Sequence, residues 1–265
     1  MARKRIDTVL VVKVDAERSR RTPDRLVVEE PMSIQLDGEL VATTMRTPGH
    51  DYELAVGFCF ADGLLHGHPV TGVRYCSNGS AVESAFNVVT VETGGRAPAP
   101  TPRLGNTSSS CGLCGNQALD DLVERLVPFD TSTLPQFSVA TVLAMPEAVR
   151  SEQALFDDTG AVHAAAAVDV DGRVELVRED VGRHNAVDKV VGRLLLDDRL
   201  PAHDRALFVS GRASFEMVQK AWAAGFGTVV SVSAPTALAV QTAKRAGITL
   251  YGFVRDGQAV RYSPG

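Results

Sequence analysis

Ala206 to Val254 read ALFVSGRASFEMVQKAWAAGFGTVVSVSAPTALAVQTAKRAGITLYGFV. Three short apolar runs, Ala206–Ser210, Thr228–Val232 and Ile248–Val254, alternate with two helical segments, Phe215–Ala224 and Thr236–Arg245. Gly225 and Gly247 stand where each helix must stop. Strand–helix alternation at these lengths predicts parallel βαβ units in a three-layer α/β sandwich. Upstream, Asn185–Leu196 carries Val187, Val190, Val191, Leu194 and Leu195 on one helical face. Ala161–Asp169 and Arg173–Arg178 read as strands around an Asp171-Gly172 turn. Val139–Gln153 reads as a helix that Pro146 kinks or splits.

The first ninety residues are strand-rich. Thr8–Val14 and Leu26–Glu30 are short β-type runs, and Met32–Leu36 and Glu39–Thr43 flank Asp37-Gly38, a two-residue hairpin signature. Asp51–Ala61 reads as a helix with Leu54, Ala55 and Phe58 on one face and Gly63 as its stop. Val70–Tyr75 and Phe86–Glu92 return to strand character. Thr93 to Ser110 then read TGGRAPAPTPRLGNTSSS, a Gly/Pro/Ser-rich stretch expected to be an exposed, mobile loop. It ends in Cys111-Gly112-Leu113-Cys114-Gly115, and a helix follows with Leu119, Leu122, Val123 and Leu126 on one face. The expected organisation is a small strand-rich domain over 1–92, a loop carrying the CxxC over 93–115, and an α/β domain over 116–265.

The chain has 265 residues, 45% hydrophobic and 22% charged, which is ordinary globular composition. A net charge of −5 argues against a general nucleic-acid or membrane-surface binder. No apolar run approaches the ~18–20 residues of a spanning helix. The basic start Met1-Ala2-Arg3-Lys4-Arg5 is followed by an apolar run, Val9 to Val14, that Lys13 interrupts. That does not make a signal peptide, so a cytoplasmic protein is expected.

The cysteine pair invites chemistry. A thiolate is the nucleophilic form, and a helix N-terminus stabilises it. Gly112 and Gly115 let backbone N–H groups come near sulfur. Four readings stand: a redox dithiol, half of a zinc site, an inert loop pair, and a sulfur-carrying thiol on a swinging arm. Zinc requires further ligands, and Cys59 and Cys76 look like core cysteines. A zinc deaminase requires H-x-E, whereas His163 is followed by Ala164-Ala165. No metal is therefore expected. Redox and sulfur carriage remain level on these residues alone.

Polar clusters mark strand and helix ends. Glu179-Asp180-Val181-Gly182-Arg183-His184-Asn185 precede an apolar helix, and capping explains only one or two of them. Arg183 and His184 at a helix start suit an anion. Ser210-Gly211-Arg212-Ala213-Ser214 and Ser231-Val232-Ser233-Ala234-Pro235-Thr236 each link a strand to a helix. Ligands of open α/β sheets lie beyond such strand ends, so Ser210, Gly211, Ser233, Arg183 and His184 suggest a phosphate-bearing ligand. Phe253-Val254-Arg255-Asp256-Gly257-Gln258 end the last long strand and read most simply as a hairpin.

Taken together, Met45-Arg46-Thr47-Pro48, Leu54 to Phe58, Ser110 to Gly115, Asp158 to Ala165, Arg178 to Val190, Ser210 to Lys220 and Ser233 to Arg255 resemble the formate dehydrogenase accessory sulfurtransferases, the FdhD family. The matching motifs run in family order from about residue 27 to 258. The resemblance implies a cytidine-deaminase-like α/β domain behind a smaller N-terminal one, generally as a homodimer. It implies a sulfur carrier for the molybdenum cofactor. The resemblance implies that a cysteine desulfurase loads persulfide sulfur onto Cys111, with Cys114 supporting or sharing the role. The sulfur then passes to the bis-molybdopterin guanine dinucleotide cofactor before insertion into formate dehydrogenase. Cofactor binding maps onto Phe253, Val254, Arg255, Asp256, Gly257 and Gln258. The rivals are a non-catalytic cofactor-binding chaperone and a dithiol oxidoreductase.

Overall fold

The computed structural model describes residues 3–76, 80–82, 84–100, 122 and 124–263. Cys111 and Cys114, and the loop and helix start expected around them, lie outside the described residues. Leu122, Glu124 and Arg125 are helical, and Leu122 and Leu126 pack on the core of the α/β half.

The chain opens with an antiparallel ribbon of β1 (Ile6–Val14) and β2 (Ser19–Val27). The strand expected at Leu26–Glu30 is thus two strand ends, because β2 stops at Val27 and β3 (Glu30–Leu36) starts three residues later. β2 reads SRRTPDRLV, which has no apolar alternation and contains Pro23, so its pattern hid it. β3 turns through Asp37-Gly38 into β4 (Glu39–Arg46), with positive φ at both turn residues, as a type I′ hairpin requires. With β5 (Gly72–Tyr75) and β6 (Val88–Glu92) they form a four-stranded sheet ordered β4-β3-β6-β5. Met32, Ile34 and Leu36 alternate inward on β3 and pack with Val89 and Val91 under α1 (Asp51–Ala61). Cys59 is buried in this core, and burial pushes its thiol well above the ordinary range. Cys76 is not a core cysteine. It is half-exposed, at a positive-φ position just after β5.

The second half forms a six-stranded sheet. Its strands are β7 (His163–Asp169), β8 (Val174–Asp180), β9 (Arg205–Val209), β10 (Thr228–Ser231), β11 (Thr249–Arg255) and β12 (Gln258–Ser263), ordered β12-β11-β10-β9-β7-β8. Only β9, β10 and β11 are parallel. β7 runs antiparallel to both β8 and β9, and β12 runs antiparallel to β11. The expectation of parallel units therefore holds for the middle of the sheet alone. Short turns join β7 to β8 and β11 to β12, and a short turn can only return the chain antiparallel.

Helices cover both faces. α2 (Val139–Arg150) runs through Pro146 and ends at Arg150, and Gln153 caps a separate short helix, α3 (Ala154–Thr159). α2 buries Val142, Met145 and Val149 against Ala164, Ala166, Val168, Phe208 and Val230. On the opposite face lie α4 (Arg183–Leu196), α5 (Phe215–Ala224) and α6 (Ala237–Ala246). Val187, Val190, Met217, Trp222 and Ala243 there meet the alternate residues Ala165, Ala167, Leu207, Val209 and Val229. α1 packs on α4, so a helix pair joins the smaller sheet to the larger one.

Candidate functional site

β8, β9, β10 and β11 point the same way, so their carboxyl ends share one edge of the sheet. The residues singled out from the sequence gather there. Arg183 and His184 open α4 after β8, Ser210 and Gly211 follow β9, Ser233 follows β10, and Phe253 to Gln258 end β11 and turn into β12. His163, which begins β7, enters the same edge. A side chain on Gly211 would stand 3.4 Å from His163 Nδ1 and 3.6 Å from Arg183 Cδ. Glycine there brings the loop backbone up to both.

Three polar atoms along this edge are buried without a hydrogen-bond partner among the described residues. They are Arg183 Nε, His184 Nε2 and Ser214 Oγ. His184 Nε2 lies 3.8 Å from Glu216 Oε2, too far for a hydrogen bond. Ser214 occupies the N-cap of α5 without using its hydroxyl as a cap. Glu216 nonetheless stands close to both His184 and Ser214, so Arg183 Nε is the group most in need of a polar ligand, and leaving it unpaired costs about 1–3 kcal/mol. Burial, then the charges of Arg183 and His184, hold the His163 imidazole below its ordinary pKa, with Asp180 opposing them. The polar contact of His184, helped by Ser214 and opposed by burial, takes the Glu216 carboxyl down to about 2. Cationic and neutral donors facing an edge of parallel strand ends suit a phosphate-bearing ligand.

Not every residue singled out is free to bind. Ser210 Oγ accepts a hydrogen bond from Ala164 N at 2.9 Å, so it ties β9 to β7. Val254 is fully buried, and its side chain joins the core under α2. Arg255, Asp256, Gly257 and Gln258 are exposed, with the Arg255 guanidinium 5.7 Å from the centre of the Phe253 ring. Asp256 and Gly257 are a hairpin turn with positive φ at both residues. Phe253 also has positive φ, and its N–H donates to Ser233 O at 3.1 Å. Ser231 reads from the sequence as part of a turn. Its hydroxyl lies 2.7 Å from Gly211 O and 3.0 Å from Ser233 O, clamping two edge loops together.

The polar run before α4 divides into support and surface. Glu179 accepts from Leu155 N and Phe156 N at 2.9 and 2.8 Å, at the start of α3. Asp180 and Lys189 form a fully buried ion pair at 2.6 Å. Asp180 also accepts from Thr47 N, Gly182 N and Asn185 Nδ2, while Lys189 Nζ donates to Thr47 O at 3.0 Å. Asn185 Nδ2 reaches Met45 O at 2.8 Å, and Val181 N donates to Thr47 Oγ1 at 3.1 Å. Met45-Arg46-Thr47-Pro48 is thereby stitched to the start of α4. Arg46 and Asp51 make a second buried pair at 3.0 and 3.1 Å, and Arg178 holds Glu53 at 2.5 and 2.9 Å. Arg183 and His184, half-buried, make none of these framework hydrogen bonds. Among the described residues, no group of three or more His, Cys, Asp or Glu side chains could hold a metal ion, and no helix is long and apolar enough to cross a membrane.

A sequence model of the FdhD/NarQ family matches residues 27–265. The chain belongs to the FdhD/NarQ family. This FdhD/NarQ chain is 45% identical over 254 residues to the sulfur carrier protein FdhD of Mycolicibacterium paratuberculosis, covering 93% of this chain and 92% of the relative. It is 46% identical over 249 residues to the sulfur carrier protein FdhD of Streptomyces coelicolor, covering 91% and 88%. A crystal structure described as a formate dehydrogenase accessory protein from Desulfotalea psychrophila shares its fold. The TM-score is 0.75 at 22% identity, over 98% of this chain and 97% of the other.

Proposed function

We propose that this FdhD/NarQ chain is a cytoplasmic sulfur carrier that takes persulfide sulfur from a cysteine desulfurase and serves formate dehydrogenase. The observation that carries the reading is Cys111-Gly112-Leu113-Cys114-Gly115 in a chain so similar to proteins named sulfur carriers. In loading, the Cys111 thiolate attacks the outer sulfur of the donor's cysteine persulfide. The donor's S–S bond breaks, its cysteine leaves as a thiolate, and Cys111 becomes the persulfide. Delivery as sulfide needs two electrons. Attack of the Cys114 thiolate on the Cys111 sulfur supplies them, leaving a Cys111–Cys114 disulfide and releasing hydrosulfide.

The acceptor in this reading is the bis-molybdopterin guanine dinucleotide cofactor, bound as a substrate. The strand-end edge would receive its phosphates, with Arg183 and His184 as N–H donors beside Ser214. Gly211 leaves room beside them. The same edge would serve a chaperone that binds the cofactor and transfers no sulfur, and the thiols separate the two readings. In cells lacking their own carrier, wild type restores formate dehydrogenase activity and Cys111→Ala does not. Full activity with Cys111→Ala would replace the carrier reading with the chaperone one.

A further inference from the structure

The β1–β2 ribbon presents an unusual edge. Asp15 N donates to Arg18 O at 3.0 Å and Val28 N to Arg5 O at 2.9 Å, one pair at each end of an unbroken register. By antiparallel alternation, odd-numbered residues of β1 direct their backbone groups to β2. Ile6, Thr8, Leu10, Val12 and Val14 direct theirs to the free edge. The side chains of Leu10, Val12 and Val14 are 68%, 52% and 76% exposed.

The two edges of the ribbon differ. On β2, Pro23 stands opposite Leu10, where an N–H would otherwise point outward, and Arg20, Arg21 and Arg25 crowd the strand. Proline and charge are the devices that keep an edge strand from pairing. β1 from Thr8 to Val12 has neither. An exposed apolar edge of this kind is a template for another strand.

We infer that this edge pairs with β1 of a second copy, antiparallel, across a two-fold axis at Leu10. The sequence is self-complementary about that point. Leu10 meets the partner subunit's Leu10, Thr8 meets the partner subunit's Val12, and Ile6 meets the partner subunit's Val14. All of these use the outward-pointing backbone groups, so the hydrogen-bond parity agrees. On the other face Val9 meets the partner subunit's Val11, and Asp7 meets the partner subunit's Lys13. An axis at Thr8 would set Asp7 against Val9, and an axis at Val12 would set Lys13 against Val11. An axis at Ile6 or Val14 also opposes unlike charges, Asp7 with Arg5 or Lys13 with Asp15, but engages only one end of the strand, so the Leu10 axis alone pairs charges along its whole length. Asp7 and Lys13 have exposed partners within their own ribbon, Lys4 and Asp24, and such surface pairs exchange readily. The result is one four-stranded antiparallel sheet spanning two subunits.

Sedimentation velocity on the full chain over a range of concentrations tests the interface. Wild type is expected to sediment as a dimer. Leu10→Lys, which sets like charges together on the axis, is expected to shift dissociation to at least tenfold higher concentration with an unchanged circular dichroism spectrum. A cross-link tests the register independently, in a background with Cys76, Cys111 and Cys114 changed to alanine. Leu10→Cys is expected to form an intersubunit disulfide, because directly paired residues stand about 5.5 Å apart at Cα. Val14→Cys is not, because the axis places the two copies roughly 27 Å apart. A monomeric wild type, a dimer indifferent to Leu10→Lys, or equal cross-linking at both positions would overturn the inference.

Discussion

Gly57 on α1 and Gly192 on α4 face each other at the crossing of the two helices. A Cβ on Gly57 would lie 1.9 Å from Asp188 O, and one on Gly192 would lie 1.8 Å from Glu53 O. The helices touch backbone to backbone, while Asp180, Asn185 and Lys189 tie Met45 and Thr47 to the start of α4. Gly57→Ala is expected to cost about 3 kcal/mol or more in urea denaturation, at the upper end of overpacking changes. Gly67→Ala, with open space around it but positive φ, should cost only about 1 kcal/mol. Equal losses at the two sites would argue against the close crossing.

The Asp180–Lys189 pair predicts a non-additive pattern. Lys189→Met leaves a buried carboxylate without its counter-charge and should cost about 3–5 kcal/mol. Adding Asp180→Asn removes that charge, so the double variant should be less destabilised than the sum of the single changes. Denaturant unfolding of all four proteins gives the coupling energy. A sum that is simply additive would deny the pair.

Stability should fall in acid partly through Glu53. Burial alone would raise its pKa, but hydrogen bonds and charge from Arg178 and His50 outweigh burial and hold it at about 2. A depressed folded pKa contributes stability above the ordinary value of 4.5, and that contribution is lost as pH falls toward 2. Arg178→Met should therefore destabilise by about 2–3 kcal/mol at pH 7, and the gap from wild type should narrow between pH 4.5 and 2. A gap independent of pH would remove the ion pair as its cause.

Ligand binding at the strand-end edge should be separable from stability. With guanosine diphosphate as the calorimetric probe, Arg183→Ala is expected to weaken binding at least tenfold. Ser210→Ala should leave binding nearly intact and lower stability by about 1 kcal/mol, because its hydroxyl serves Ala164 N. The phosphates would offset the Arg183 and His184 charges, so the His163 pKa should rise on binding, as read by NMR titration. Unchanged affinity in Arg183→Ala would move the phosphate site elsewhere.

The strand–helix pattern after residue 160 was legible because the elements carry their own apolar periods and Gly225 and Gly247 stop two of the helices. The helix at Asp51–Ala61 and the Asp37-Gly38 hairpin were legible for the same local reasons. Strand direction was less so: the hairpin turns at Asp171-Gly172 and Asp256-Gly257 are local, but β7 pairs antiparallel with β9 through contacts that no local pattern encodes. At the site, the sequence marked the edge loops but did not sort their side chains. Glu179, Asp180 and Asn185 hold the framework, whereas Arg183 and His184 make none of its hydrogen bonds. That division depends on Thr47 and Leu155, which are distant in sequence. Val254 shows the same limit, because the alternation of β11 sends it to the α2 face while Phe253 stays at the edge.

Whether Cys111 carries sulfur is read out by intact-mass spectrometry. The protein is incubated with a cysteine desulfurase and cysteine, alongside Cys111→Ala and Cys114→Ala. The account predicts a gain of about 32 Da, one sulfur, on wild type that reductant reverses and that Cys111→Ala abolishes. No gain, or a gain that survives in both variants, would contradict it.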